Sequence, residues 1–346
     1  MTAVEREAID PAGPNPALAG GNQPSVTLDQ EVLDLLRCPI SGGRLRWAGE
    51  NLLVSESGPH TYKYEDGIFH LLSPLDPDEA EKIRLSDEKE STRTYYDNFG
   101  WQTNDGSYGE VQAFTDTRSA PWSYTARCIR RVGKHIPTEG RYLLDAASGP
   151  IPYAEYMNFH DGFDRRVCVD LSIEALKEAQ RKLGNRGIYV LGDMTRLPFA
   201  DGSVDAAVSF HTIYHIPADE QEKAFTELHR VLRSTGKAAI VYTWGYSPIT
   251  SRLLRALDRM GVAPAKGTTG SGLYYHPHEK EWFFDKNWPF SYEVRAWRTI
   301  GSSALQRLGD GPIFRLAYLA LYGLESLFPT FFGRHGQYPL IVVHKA

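Results

Sequence analysis

Cysteine is scarce in this 346-residue chain, which has only Cys38, Cys128 and Cys168. They form no CxxC pair, which excludes a thiolate zinc ribbon and a disulfide scaffold and fits a reducing compartment. Net positive charge is lacking too. A formal charge of -5 offers no general attraction to a phosphate backbone, so no nucleic acid partner is expected. The first residues carry Glu5 and Glu7 and no basic stretch before an apolar core, so no secretory signal is read and the expected location is cytoplasmic. Only one apolar run approaches membrane-spanning length, IFRLAYLALYGLESLFPTFF at residues 313–332. Arg315 and Glu325 interrupt it, and Pro329 should end the helix. The run is read as a buried or substrate-capping helix, with peripheral contact to a membrane surface as the alternative.

What is present is organised. Residues 1–26 are rich in Pro, Gly, Ala and Asn without periodicity and read as a disordered leader. Residues 27–75 read as a small α+β accessory domain. LDQEVLDLLRCP is a short amphipathic helix stopped by Pro39, LRWAGENLLVS a hairpin, and HTYKYEDGIFHLLSP two strands about an Asp66-Gly67 turn. Residues 76–346 form the main domain, entered through an acidic helical connector and the stretch STRTYYDNFGWQ. Strands and helices alternate from residue 121 to 243, which implies a parallel sheet covered on both faces. Ligands bind such sheets beyond the carboxyl ends of the strands.

Four strand ends carry candidate chemistry. Asp145 is followed by Ala146-Ala147-Ser148-Gly149, a loop of small residues with a single glycine. VCVDLS ends in Asp170 and Leu171, with Ser172 placed to cap the next helix. YVLGDMTRLPF supplies Asp193 and Met194, and VDAAVSFHTIYHIP supplies His211 and His215. An adenosyl group suits this set. A ribose diol matches the carboxylate of Asp170, the adenine amino group matches Asp193, and Met194 offers an apolar face. The small loop lets its backbone approach closely. A dinucleotide fingerprint fails, because Pro150 and Pro152 stand where GxGxxG would hold a pyrophosphate.

Residues 141–244 resemble class I S-adenosylmethionine-dependent methyltransferases. DAASGPI stands for the family's acid and GxGxG loop, with Ala147 and Ile151 in place of glycines. VDLS, GDMTRLPFADGSVDAAVS and ELHRVLRSTGKAAIV follow in the family's order. The resemblance implies a Rossmann-like fold with a seven-stranded, mostly parallel sheet and S-adenosyl-L-methionine as cofactor. It implies cofactor contacts from Asp145, Ala147, Ser148, Gly149, Asp170, Leu171, Asp193 and Met194, with Tyr96 at the domain entrance. Leu33 to Leu72, through LLRCPISGGRL and EDGIFHLL, resembles the small methyltransferase-activator family. Zinc-binding members of that family need paired cysteines. Cys38 stands alone, so no metal is inferred and Cys38 is read as a packed thiol.

Methyl transfer to oxygen needs a proton removed, and a histidine titrating near neutrality suits that task. His211 is the first candidate base. His215 either shares the chemistry or orders its loop. Substrate-capping insertions are expected at 246–290 and 301–336. The first contains His276, His278 and Glu281, whose spacing permits a metal in principle, but the neighbouring Tyr274, Tyr275, Trp282 and Phe283 favour an aromatic substrate wall. The expected activity is methylation of a small-molecule, glycan or lipid acceptor, through oxygen of a sugar, glycolipid or secondary metabolite. An RNA or translation-factor methyltransferase, a quinone-type C-methyltransferase and a non-catalytic cofactor-binding subunit are the alternatives.

Overall fold

The computed structural model describes residues 30–104, 107–263 and 273–346. The 1–26 leader and part of the 246–290 insertion lie outside them. The strands in chain order are β1 (Leu45–Trp47), β2 (Leu52–Ser55), β3 (Thr61–Glu65), β4 (Ile68–His70), β5 (Thr103–Asn104), β6 (Ser107–Tyr108), β7 (Gly140–Ala146), β8 (Phe163–Asp170), β9 (Gly187–Leu191), β10 (Val204–Phe210), β11 (Leu232–Val241), β12 (Ser291–Arg298) and β13 (Tyr338–His344). β5 and β6 form a separate two-stranded ribbon. The other eleven form one sheet, ordered β1-β2-β3-β4-β9-β8-β7-β10-β11-β13-β12.

Period-two alternation divides the central strands between two apolar layers. On one face Leu144, Val167, Val190, Ala207 and Ile240 pack with Phe225 and Leu228 of the helix Gln221–Val231 and with the accessory helix Gln30–Leu35. On the other, Leu143, Cys168, Tyr189, Val208 and Val241 meet Tyr124 and Ile129 of the helix Ser119–Val132 and Leu176 and Ala179 of the helix Ile173–Leu183. Ser172 caps that last helix by accepting from the Ala175 N–H at 3.1 Å. β13 runs antiparallel to both β11 and β12.

The sheet departs from the seven mostly parallel strands expected. It has eleven strands, with five parallel and five antiparallel pairings. The reason is the accessory segment. Its last strand pairs in parallel with β9, Ile68 to Tyr189, Phe69 to Val190 and His70 to Leu191, so its strands extend the main sheet. The Asp66-Gly67 turn between β3 and β4 is the tight one the sequence announces, with φ of 52° and 79°. Cys38 is buried, its Sγ 3.1 Å from the Tyr62 hydroxyl and 3.4 Å from His60 Nδ1.

The apolar run near the C-terminus is largely exposed rather than buried. It forms the helices Pro312–Leu327 and Pro329–His335, broken at Phe328 ahead of Pro329. The first buries only Tyr318, stacked on Tyr124, and Glu325, which accepts from the Tyr124 hydroxyl, the Thr299 N–H and Arg131. Ile313, Leu316 and Leu327 are 80%, 68% and 73% exposed. Among the described residues no helix is long and apolar enough to cross a membrane.

Removing residues 30–75 should uncover the β9 edge and the apolar face under Val32, Leu33 and Leu35. The truncated chain is expected to aggregate, as size-exclusion chromatography would show. A monodisperse truncation with an unchanged melting temperature would contradict the continuous sheet.

Candidate functional site

A cavity of about 530 Å³ opens at the carboxyl ends of β7, β8, β9 and β10. The chain between Lys89 and Phe114 forms its near wall, and Trp297, Arg298 and Tyr338 its far wall. Every cofactor and catalytic candidate named from the sequence lines it: Tyr96, Asp145, Ala147, Ser148, Gly149, Asp170, Leu171, Asp193, Met194, His211 and His215.

The loop after β7 has an unusual backbone. Ala147, Gly149 and Ile151 lie at φ of 57°, 54° and 54°, so all three positions where the resemblance expects glycine adopt the left-handed region. Two of them do so with a Cβ, and for a β-branched isoleucine that conformation is a strained one, costing about 1–3 kcal/mol. Gly149 has a second reason to be glycine, since a Cβ there would stand 2.9 Å from the Trp101 ring. The Ala147 and Ser148 N–H groups donate to the Val169 carbonyl, and the Gly149 N–H donates to Asp170 Oδ2 at 2.8 Å.

The acids differ in what holds them. Asp170 accepts from two backbone donors, Gly149 N–H on Oδ2 and Ser172 N–H on Oδ1, and each oxygen keeps lone-pair capacity for a ligand. Burial pushes its carboxyl up to about 6, against those two hydrogen bonds. Asp145 is neutralised by Arg166, a fully buried guanidinium that also donates to the Tyr156 carbonyl; both bonds to Asp145 fall on Oδ2. Asp193 is engaged on both oxygens, by Lys89 Nζ at 2.8 Å and by the N–H and hydroxyl of Thr195. Lys89 also meets Glu220 at 2.5 Å. Burial alone would raise Asp193, but Lys89 overrides it and holds the carboxyl below its ordinary value. Tyr96 stacks on Trp101 with centroids 4.8 Å apart.

The histidines correct one expectation. His211, at φ 59°, rests against Trp297 and Tyr338 with ring centroids 4.6 and 5.1 Å away. Burial, then the charge of Arg298, pushes it down to about 3 rather than leaving it near neutrality. His215 is pushed down to about 4 by burial, and its Nδ1 lies 2.7 Å from the Tyr274 carbonyl oxygen. That contact ties the loop after β10 to the far insertion. Both rings are therefore neutral across the physiological range.

Of the expected aromatic wall only Tyr275 lines the cavity. Phe283 is fully buried in the core, and Trp282 packs against that core with His278 stacked on it at 4.0 Å. Glu281 faces solvent beside Lys280. Among the described residues no group of three or more His, Cys, Asp or Glu is arranged to hold a metal ion. Residues 313–332 contribute nothing to the lining.

Sequence reasoning missed four residues that the fold brings in. Lys89 and Arg166 are the counter-ions just described, and Arg298 comes from β12. Glu110 is the fourth, its carboxyl pushed up to about 7 by burial while it accepts from the Tyr95 hydroxyl at 3.1 Å. Lys89 and Glu110 do fall in polar stretches at the domain entrance, which is the only sequence signal they carry.

Residues 144–240 match the family model described as a methyltransferase domain. Among curated proteins, one from Encephalitozoon cuniculi carrying a methyltransferase name is 31% identical over 145 residues, 40% of this chain and 60% of that protein. An uncharacterized methyltransferase of Mycobacterium tuberculosis is 29% identical over 151 residues, 40% of this chain and 58% of the relative. The chain thus spans about 60% of the length of these relatives. Among solved structures, geranyl diphosphate C-methyltransferase from Streptomyces coelicolor is similar with a TM-score of 0.46 and 15% identity, over 76% of this chain and all of that one.

Replacing Lys89 by methionine would leave Asp193 and Glu220 without their shared cation. The expected cost is about 3–5 kcal/mol near neutral pH, read by chemical denaturation. Asp193 is depressed in the folded wild type, so its contribution is complete above the unfolded carboxylate range and is lost as pH falls from there through its lowered folded value. The gap between wild type and variant should therefore close on acidification. A constant gap down to pH 3 would contradict the ion-pair account.

Proposed function

We propose that this chain, whose residues 144–240 form a methyltransferase domain, transfers a methyl group from S-adenosylmethionine to a small or medium acceptor through oxygen. The observation that carries this reading is the convergence on one cavity of the Ala147–Gly149 loop, Asp170, Met194 and His211. The cavity's 530 Å³ falls within the usual range for small-molecule sites. Its donor and acceptor set also fits the cofactor. Asp170 has lone pairs left for a ribose diol, the loop backbone is bare of large side chains, and Met194 gives an apolar wall.

When bound, the cofactor supplies an electrophilic methyl group on a sulfonium. The protein's own part is to orient and to exclude water. Asp170 fixes the ribose end. Asp193 contributes through lone pairs that Lys89 and Thr195 leave open, and its ionised state is secured by Lys89. His211, neutral at physiological pH, accepts a hydrogen bond from the acceptor hydroxyl. A base pushed down to about 3 still suffices, because the alkylated oxygen is a far stronger acid than that imidazolium. The acidic limb of the rate then lies well below neutrality. His215 holds the loop through Tyr274.

A sugar, glycolipid or secondary metabolite fits an acceptor chamber walled by Tyr275, Trp297 and Tyr338, since aromatic faces beside polar groups suit rings. The exposed apolar face of residues 312–335 supports lipid-bearing acceptors met at a membrane surface. Comparing aqueous and lipid extracts of cells with and without the protein by mass spectrometry would identify the acceptor as the species that loses its methylated form.

The cofactor assignment has its own test. Asp170→Ala should weaken S-adenosylmethionine binding at least about tenfold in calorimetric titration, since a hydrogen bond to a charged group contributes about 1.5–3 kcal/mol. Unchanged affinity would remove Asp170 from ribose binding.

A further inference from the structure

Buried cations in this fold come with anions. Lys89 has Asp193 and Glu220, Arg131 has Glu325, Arg166 has Asp145, and Arg307 has Asp258. Arg298 breaks the pattern. It ends β12, is 6% exposed, lines the cavity, and has no carboxylate partner among the described residues. Its guanidinium donates to the Thr125 hydroxyl at 3.2 Å and the Ser302 hydroxyl at 2.8 Å, and its Nε finds no partner there. Its Cζ lies 5.1 and 4.8 Å from the rings of Trp297 and Tyr338. These interactions orient the fork but do not neutralise it. A lone buried charge costs several kcal/mol, whereas a guanidinium facing a carboxylate or phosphate gains two parallel charged hydrogen bonds.

We propose that Arg298 is the docking point for an anionic group, a carboxylate or phosphate, carried by the methyl acceptor. This deepens the methyltransferase reading and rests on it for the word acceptor. The order of the strand ends favours the acceptor over the methyl donor's own carboxylate as carrier of the anion, and the 5′-methylthioadenosine comparison below decides between them. Asp193, Asp170 and the glycine loop follow β9, β8 and β7, His211 follows β10, and Arg298 lies beyond it at the end of β12. His211 and Arg298 share the rings of Trp297 and Tyr338 as neighbours, so an anion on Arg298 would place the rest of the acceptor beside His211. The two hydroxyls of Thr125 and Ser302 fix the plane of the fork and favour a planar or tetrahedral oxyanion over a halide.

The test uses the full chain saturated with S-adenosylhomocysteine. Benzoate and inorganic phosphate are titrated against the melting temperature at constant ionic strength, with chloride as reference. One of the two should stabilise the wild type beyond chloride, and which one does so identifies the anion. Arg298→Gln should weaken that binding at least about tenfold while S-adenosylhomocysteine affinity stays within about twofold. Arg298→Lys, which keeps the charge but not the fork, should fall between and covers the case in which the glutamine variant fails to fold. The proposal is overturned if neither anion stabilises the wild type, or if the glutamine variant binds as well as wild type. It is also overturned if Arg298→Gln weakens S-adenosylhomocysteine but not 5′-methylthioadenosine, which lacks the amino-acid carboxylate. Failure of S-adenosylhomocysteine to bind the wild type would contradict the methyltransferase reading alone, and the same titration on ligand-free protein would still decide on Arg298.

Discussion

The bond from the Gly149 N–H to Asp170 Oδ2 makes the turn after β7 and the end of β8 one piece. Without it the left-handed turn would lose its direct tie to the Asp170 side chain, and Asp170 would lose one of the two donors that hold it. The surrounding fold maintains that bond. Ala147 and Ser148 are tied to the Val169 carbonyl, Ile151 is buried to 1% in the core, and Trp101 closes over Gly149 at a distance only glycine allows. Packing thus over-determines a backbone that residue preference alone would refuse, as strained functional loops require.

Charge burial is the second constraint. The cavity floor and walls hold Asp145, Asp193 and Asp170 close together, and unpaired carboxylates there would protonate or push the fold apart. Arg166 and Lys89 remove two of the three charges and leave Asp170 as the accessible acceptor. The same economy makes Arg298 stand out on the opposite wall. One side of the cavity thus offers a carboxylate and the other a guanidinium, with the neutral rings of His211 and His215 between them.

Much of the fold was legible because it depends on local pattern. Short strand-like runs alternating with helical stretches marked the strands, and acids or histidines at their ends marked the rim where the cavity opens. The counter-ions were not legible. Lys89 and Asp193 are 104 residues apart, and no local spacing links such partners. The strand count failed for a similar reason. Ile68-Phe69-His70 reads as a short strand, but its pairing with β9 is a tertiary fact. The exposure of the helix at 312–327 was not legible, because a mostly apolar run implies burial. Here the polar Glu325 faces inward, held by Tyr124 and Arg131, while Leu316, Leu319, Leu324 and Leu327 face out.

Where an adenosyl ligand sits tests these residue roles most directly. A crystal structure of the protein soaked with S-adenosylhomocysteine should show the ribose hydroxyls on Asp170, the adenine toward Met194 and Asp193, and the thioether facing His211. Density for the ligand elsewhere on the molecule, with the cavity beside Asp170 holding only solvent, would contradict it.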